Sequence, residues 1–348
     1  MAGMERPTID RDARRERKPP SERLTLVTGG SGFVGPFLAL ALLETGRRVV
    51  NFDIRGLADE GKFVLGERLD EVAVELGSID DKARFYDVVK RHRPDEIVHM
   101  AMIIDPAILT RSRSTAFRVN VEGTVNVLES MLLFDVDRLV YFSSIGVLPK
   151  VQYEPIDAKH PVFLADSGPG TDFYGSSKVA GEALCFAYLQ SLALDARIIR
   201  PSAVYGLGMT PWPGPIKPMV EGAVRGEQLR FETGGRHPRS YTHAIDVAGL
   251  VLAMLEAPDG ADRIFYGATG EPLVTTSEVA RLVTDVVPGA DIEIGEELSP
   301  GEVPVVALRG RLSIENARGQ LGWEPRYSDL RDGIAQYAEQ YRAFLATI

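Results

Sequence analysis

The chain has 348 residues, enough for one large folded unit or two coupled ones with a sizeable core, and its hydrophobic content of 45% is that of a water-soluble globular protein. A net charge of −10 argues against nucleic acid as the main partner, because phosphate backbones attract a basic field. The single cysteine, Cys185, excludes an internal disulfide and a cysteine metal cluster, and it reads as a small apolar helix residue; no metal site is expected.

Residues 1–22 mix arginines with acids and lack the apolar stretch of a secretory signal, so they read as a disordered tail. No later run approaches the ~18 apolar residues that span a bilayer, and a cytoplasmic location without membrane attachment is the expectation. Residues 24–28 form a short apolar strand that ends in glycines. A helix over 36–45 follows and stops at Gly46. Strands are predicted at 48–54, 72–76, 96–100, 138–143 and 196–200, with helices at 83–91, 114–134 and 174–192 between them. Strands alternating with helices give a parallel, doubly wound α/β sheet whose ligand crevice lies at the carboxyl ends of the strands. Residues 201–218 are dense in proline and glycine and read as a loop over a pocket. Residues 263–266 are a candidate returning strand, and 277–287 and 330–345 are amphipathic helices.

Two motifs carry chemistry. The turn Thr28-Gly-Gly-Ser-Gly-Phe-Val-Gly35 joins a predicted strand to a predicted helix. Glycine there allows a tight turn and a close approach by a pyrophosphate, and the helix offers unpaired N–H groups and a positive dipole end. Gly29, Gly32, Phe33, Val34 and Gly35 are therefore placed at a dinucleotide. Asp53 ends the second strand, where a carboxylate accepts both ribose hydroxyls and repels a 2′-phosphate; this favours NAD over NADP. In the second motif, Tyr174 and Lys178 stand one helical turn apart, so both side chains share a face. An ammonium beside a phenol favours its ionised form and prepares it to take a proton from an alcohol.

Together these residues resemble the extended short-chain dehydrogenase/reductase family, the NAD-dependent epimerase/dehydratases. The resemblance extends through Val98-His-Met-Ala101, Val119-Asn-Val-Glu-Gly-Thr124, Tyr141-Phe-Ser-Ser144, Arg200-Pro-Ser-Ala-Val-Tyr-Gly206, Arg239-Ser-Tyr-Thr-His-Ala-Ile-Asp246 and Leu321-Gly-Trp-Glu-Pro325. It implies a Rossmann-like sheet with a smaller C-terminal substrate-binding α/β region. Residues 23–200 then form the NAD-binding domain, with a return segment near 240–270, and 201–348 serve mainly the substrate. It also implies that Tyr174 is the general acid/base, that Lys178 holds the nicotinamide ribose and lowers the tyrosine pKa, and that Ser144 bonds the reacting oxygen. Ser78, Ile79, Met100 and Ala101 join the cofactor site, while Met102, Leu148, Tyr205, Trp212 and Arg239 face a small-molecule substrate. Related enzymes pair through two long helices, so a homodimer is expected.

The departures narrow the reaction. Ile145-Gly146 stand where dehydratases carry an Asp-Glu pair, so elimination of water is not expected. The family's adenine-binding acid is Ser78 here, and the asparagine that helps hold a substrate diphosphate is replaced by Ser202-Ala203. The reading is an NAD-dependent oxidoreductase that works at a hydroxyl-bearing carbon of a sugar, sugar acid or polyol. A nucleotide-sugar epimerase that keeps its NAD is the alternative, and an NAD-binding redox sensor without turnover is a second one.

Overall fold

The computed structural model describes residues 17–170, 172–210 and 214–348. Seven strands make one parallel sheet: β1 (Leu24–Thr28), β2 (Arg48–Asp53), β3 (Val72–Leu76), β4 (Glu96–His99), β5 (Arg138–Phe142), β6 (Ala196–Pro201) and β7 (Ile264–Gly267). Their spatial order is β7-β6-β5-β4-β1-β2-β3, so the chain winds outward from β1 in both directions. The crevice at this reversal lies beyond the carboxyl ends of β1 and β4. β1, β4 and β5 are buried along their whole length, as apolar strands covered on both faces must be.

Helices cover both faces. α1 (Gly35–Glu44) packs against α6 (Ala244–Glu256) on one side, through a core that includes Leu38, Leu42, Val251 and Met254. α2 (Lys82–His92), α3 (Gly123–Phe134) and α4 (Phe173–Leu192) cover the other, around Phe85, Val88, Val127, Leu128 and Cys185. α5 (Ile216–Val224), α7 (Thr276–Val286) and α8 (Leu330–Leu345) pack on one another and share the core of α1 and α6.

Several elements differ from the sequence expectation. The stretch 201–218, read as a loop, holds the strand Ala203–Tyr205 and the start of α5; the strand pairs in parallel with Tyr241–His243. Three residues show no alternation, and their partner is remote in the chain. α6 escaped the sequence reading because it is apolar almost all round, which leaves no polar face to mark its period. The single helix expected at 114–134 is interrupted by a π turn at Arg118–Glu122. Asn120 sits in that turn, its side chain buried; its Oδ1 accepts from the Ile103 N–H (2.7 Å) and its Nδ2 donates to the Ile103 carbonyl (3.0 Å). The expected tail is described from residue 17 onward, and there it is held: Arg17 donates to Glu96 (2.7 Å) and to the Leu255 carbonyl (2.8 Å), and Lys18 pairs with Asp95 (2.5 Å). Among the described residues no helix is long and apolar enough to cross a membrane.

The amino ends of the strands are tied by buried ion pairs. Glu96 accepts from Arg23 (3.0 Å) and Arg47 (3.0 Å) as well as Arg17. Arg138 donates to Asp195 (2.8 Å) and to the carbonyls of Leu255 (2.8 Å) and Ala257 (2.7 Å), which closes the carboxyl end of α6 onto β5. A cation with five donors suits several acceptors that converge on one buried point. Replacing Arg138 with Met removes one of the cations on Asp195, which Arg263 and Arg197 still face, and takes a donor from the Leu255 and Ala257 carbonyls, for an expected loss of about 1.5–3 kcal/mol. Calorimetry should show a clear drop in Tm, and an unchanged Tm would contradict this account of the sheet base.

Candidate active site

β1 ends at Thr28, and the chain turns at once. Gly29 has φ of +72°, and its N–H donates to the Phe52 carbonyl (2.8 Å). An added Cβ would lie 2.7 Å from the Ala101 nitrogen, so the turn closes onto the segment that leaves β4. Gly35 opens α1 so close to the turn that a Cβ would stand 2.0 Å from the Gly30 carbonyl oxygen. Gly32, between them, is less confined but still tight: an added Cβ would lie 3.1 Å from the Gly29 oxygen. The amino end of α1 and its unpaired N–H groups thus face the crevice behind a bare backbone. Phe33 packs edge-on against Phe37 at 6.2 Å and, with Val34, leads the loop into the helix.

Asp53 closes β2 and accepts from the backbone N–H of Ser31 (3.1 Å) and of Arg55 (3.3 Å), which ties the carboxylate to the glycine turn. The Ser31 hydroxyl is buried in the turn without a hydrogen-bond partner. Met100 and Ala101 are fixed to β1 by donating to the Thr28 carbonyl (2.9 Å) and the Thr28 hydroxyl (3.3 Å). Ser78 bonds Asp80, which pairs with Arg118 (2.7 Å); Ile79 is buried and its carbonyl accepts from Asn126 (2.9 Å). A tight glycine turn at a helix amino end, an orphaned hydroxyl within it and an acid at the next strand end fit an adenine dinucleotide.

α4 begins beside this crevice, its first turn capped by Asp172, which accepts from the Gly175 N–H (3.0 Å). Tyr174 and Lys178 share the face turned toward β5 and the 100–104 segment. The Tyr174 hydroxyl lies 3.9 Å from the Met102 sulfur. Burial pushes the phenol up to about 12, and a hydrogen bond with Ser144 pulls the other way. Ser144 also accepts from the Gly146 N–H (2.9 Å), whereas Ser143 turns inward to donate to Glu182 (2.5 Å). Lys178 is fully buried and donates to the Phe142 carbonyl; its nitrogen stands 5.6 Å from the centre of the Tyr174 ring. Burial brings this ammonium down to about 7, with Glu182 acting against it. The sequence expectation that Lys178 lowers the tyrosine pKa is therefore not met by the protein's own groups: burial dominates both residues.

Beyond Ser144 lies a small cleft lined by Ile145, Leu148, Ile156, Ser240, Leu308 and Arg309. The Met102 sulfur lies at the Tyr174 hydroxyl, and Leu148 lines this cleft. Arg239 lies next to Arg309, which burial and the Arg239 charge push down to about 10. Arg239 Nη1 and Arg309 Nε are buried without hydrogen-bond partners, and among the described residues neither arginine forms an ion pair. Tyr205, expected at the substrate, is instead a core residue: it is 1% exposed, packs edge-on against Tyr241 (6.3 Å) and His243 (5.1 Å), and buries its hydroxyl against Gly333. Trp212 lies outside the described residues. His243 accepts from the Ile245 N–H (3.2 Å) and caps α6, a packing role.

Sequence reading missed Arg309. No motif marks it; it reaches the cleft because the 151–156 segment pairs with 307–313, Val151 N–H donating to Ala307 (3.1 Å) and Ile156 N–H to Arg311 (2.7 Å). It also missed the buried pair of Glu182 and Arg200, although a glutamate one turn after Lys178 was a readable signal.

With this geometry in view, comparison with known proteins is informative. A profile of the NAD dependent epimerase/dehydratase family matches residues 25–266. The UDP-glucose 4-epimerase of Mycolicibacterium smegmatis is 29% identical over 321 residues, which cover 91% of this chain and 98% of that one. A crystal structure of UDP-glucose 4-epimerase with UDP-glucose, from Thermotoga maritima, superposes with a TM-score of 0.78 at 25% identity, over 92% of this chain and 99% of that one. The UDP-glucose 4-epimerase of Thermus thermophilus in complex with NAD gives 0.74 at 25% identity, over the same shares. The chain belongs to the NAD-dependent epimerase/dehydratase family and is an NAD-dependent enzyme of that family.

Proposed function

We propose that the protein is a nucleotide-sugar epimerase that retains NAD, rather than an oxidoreductase that releases NADH in each cycle. The observation that carries this reading is the pair Arg239 and Arg309. Two neighbouring half-buried cations, each with one buried nitrogen left without a partner, favour an anion that joins them. A diphosphate supplies negative charge and several acceptor oxygens suited to guanidinium groups. The lost asparagine is no obstacle: Ala203 stands at its position, and the neighbouring Ser202 bonds Thr242 (2.7 Å) inside the core, which leaves the diphosphate to the arginines. The relatives with UDP-glucose in their names support the same substrate class.

With the diphosphate held there, the sugar lies toward Ser144 and Tyr174, along the apolar wall of Leu148 and Met102. Tyr174 takes the proton of the reacting hydroxyl and returns it, and Ser144 orients that oxygen. Lys178 bonds the nicotinamide ribose, and Asp53 the adenosine ribose. NAD supplies a reversible hydride acceptor at the carbon that bears the hydroxyl. A cytoplasmic homodimer is the assembly that accords with this reading, since α3 and α4 pack side by side and leave Leu132 and Leu133 exposed.

The direct test is to identify the nucleotide in purified protein and to incubate that protein with UDP-glucose or UDP-galactose. Stoichiometric NAD and interconversion at C4, followed by NMR, are expected; accumulation of free NADH would instead establish net oxidation. Tyr174→Phe should lower turnover by about 10²–10⁴-fold with NAD affinity retained. Arg309→Met should raise KM by at least about tenfold with little change in kcat, because it removes binding held throughout the reaction; an unchanged KM refutes the diphosphate assignment. Asp53→Ala should weaken NAD about tenfold and narrow the preference over NADP, and calorimetry with both nucleotides would expose an unaltered preference.

A further inference from the structure

Lys178 is buried at the junction of α4 with β4, β5 and β6. The groups that face it are few. His99 of β4 is held neutral by burial and by the lysine itself, down at about 3. The rings of Tyr141 of β5 and Tyr174 of α4 lie 5.2 Å and 5.6 Å from its nitrogen, and burial keeps both phenols neutral. Cys185 of α4 is a buried thiol pushed up by the same cause. The remaining group is Glu182, one turn further along α4 and 3% exposed, the carboxylate that acts on the lysine.

Both oxygens of Glu182 are engaged elsewhere. Oε1 accepts from Ser143 (2.5 Å) and from Arg200 Nε (2.9 Å), and Oε2 accepts from Arg200 Nη2 (2.7 Å). Arg200 of β6 also donates to the Tyr266 hydroxyl (3.1 Å) of β7. The carboxylate is thus fixed in place yet largely compensated before Lys178 feels it. A lysine desolvated to this degree depends on any residual negative field to stay charged.

We propose that Glu182 is a positioning residue for the cofactor, the fixed negative charge that keeps Lys178 an ammonium while it holds NAD, and that Arg200 sets how much of that charge the lysine receives. The proposal rests on Lys178 contacting bound NAD, and its signature is the pH at which NAD affinity fails. His99 lies far below the range from pH 6 to 9 and Tyr174 above it, so neither gives this signature. Affinity should hold below about pH 7 and fall as pH rises, because the ammonium is the binding form.

The experiment measures NAD affinity by calorimetry from pH 6 to 9 on the full chain freed of copurified nucleotide. In Glu182→Gln combined with Arg200→Met, the lysine loses its counter-charge while neither member of the Glu182–Arg200 pair is left alone; the fall should begin about one unit lower than in wild type. In Arg200→Met alone, the lysine receives the uncompensated carboxylate, and the fall should begin about one unit higher. Either variant suffices, since the two move the curve in opposite directions and a packing defect would move neither along the pH axis. Curves that weaken in parallel, or a wild-type curve flat across the range, overturn the proposal while the cofactor assignment stands. Wild type that binds no NAD at any pH overturns both.

Discussion

The site depends on the contact of α4 with the carboxyl end of β5. Lys178 reaches the Phe142 carbonyl and, one turn on, Glu182 reaches the hydroxyl of Ser143. Two consecutive residues of the strand end are thereby held by two charged side chains of one helix face. Ser144 follows immediately and inherits their position, which sets it against Tyr174. Burying a lysine and a glutamate is expensive, and the fold meets that cost with Arg200 and with backbone acceptors rather than with water. The same burial that makes the contact rigid holds the phenol and the ammonium near their neutral forms.

The cofactor crevice follows from topology. With β1 central and the chain winding away on both sides, the loops after β1 and β4 part at one point only. Gly29 lets the first loop come within contact of Ala101 in the second, so the floor of the crevice is backbone from two strands. Gly35 and Asp53 then fix the wall on the β2 side. Nothing in this arrangement specifies a sugar; in the proposed function that falls to the C-terminal region, which carries Arg239 and Arg309.

What was legible in the sequence was local. The glycine turn, the acid after β2 and the Tyr174–Lys178 spacing each lie within a turn or a strand end, where residue type and spacing decide geometry. The alternation of strands and helices gave the sheet for the same reason. What was not legible depends on partners far along the chain. Tyr205 belonged to a motif that sequence reading put at the substrate, yet pairing of its strand with Tyr241–His243 turns it into the core. Arg309 carried no motif and reaches the cleft through the 151–156 segment. The phenol of Tyr174 was expected to be acidic from its neighbour's charge, but burial is a tertiary property and it prevails. α6 was hidden because a helix sandwiched between sheet and further helices has no polar stripe.

The wall of the cleft beyond Ser144 is a seam. Ile156 donates to Arg311 and accepts from Ser313, so two segments separated by half the chain share one short ladder. Neither can be exchanged alone without stranding a buried amide, even though each looks like a free surface loop in sequence. Divergence of specificity in such a pocket is therefore expected to proceed by coordinated change on both sides of the stitch, and a graft meant to import another enzyme's selectivity has to carry the two pieces together.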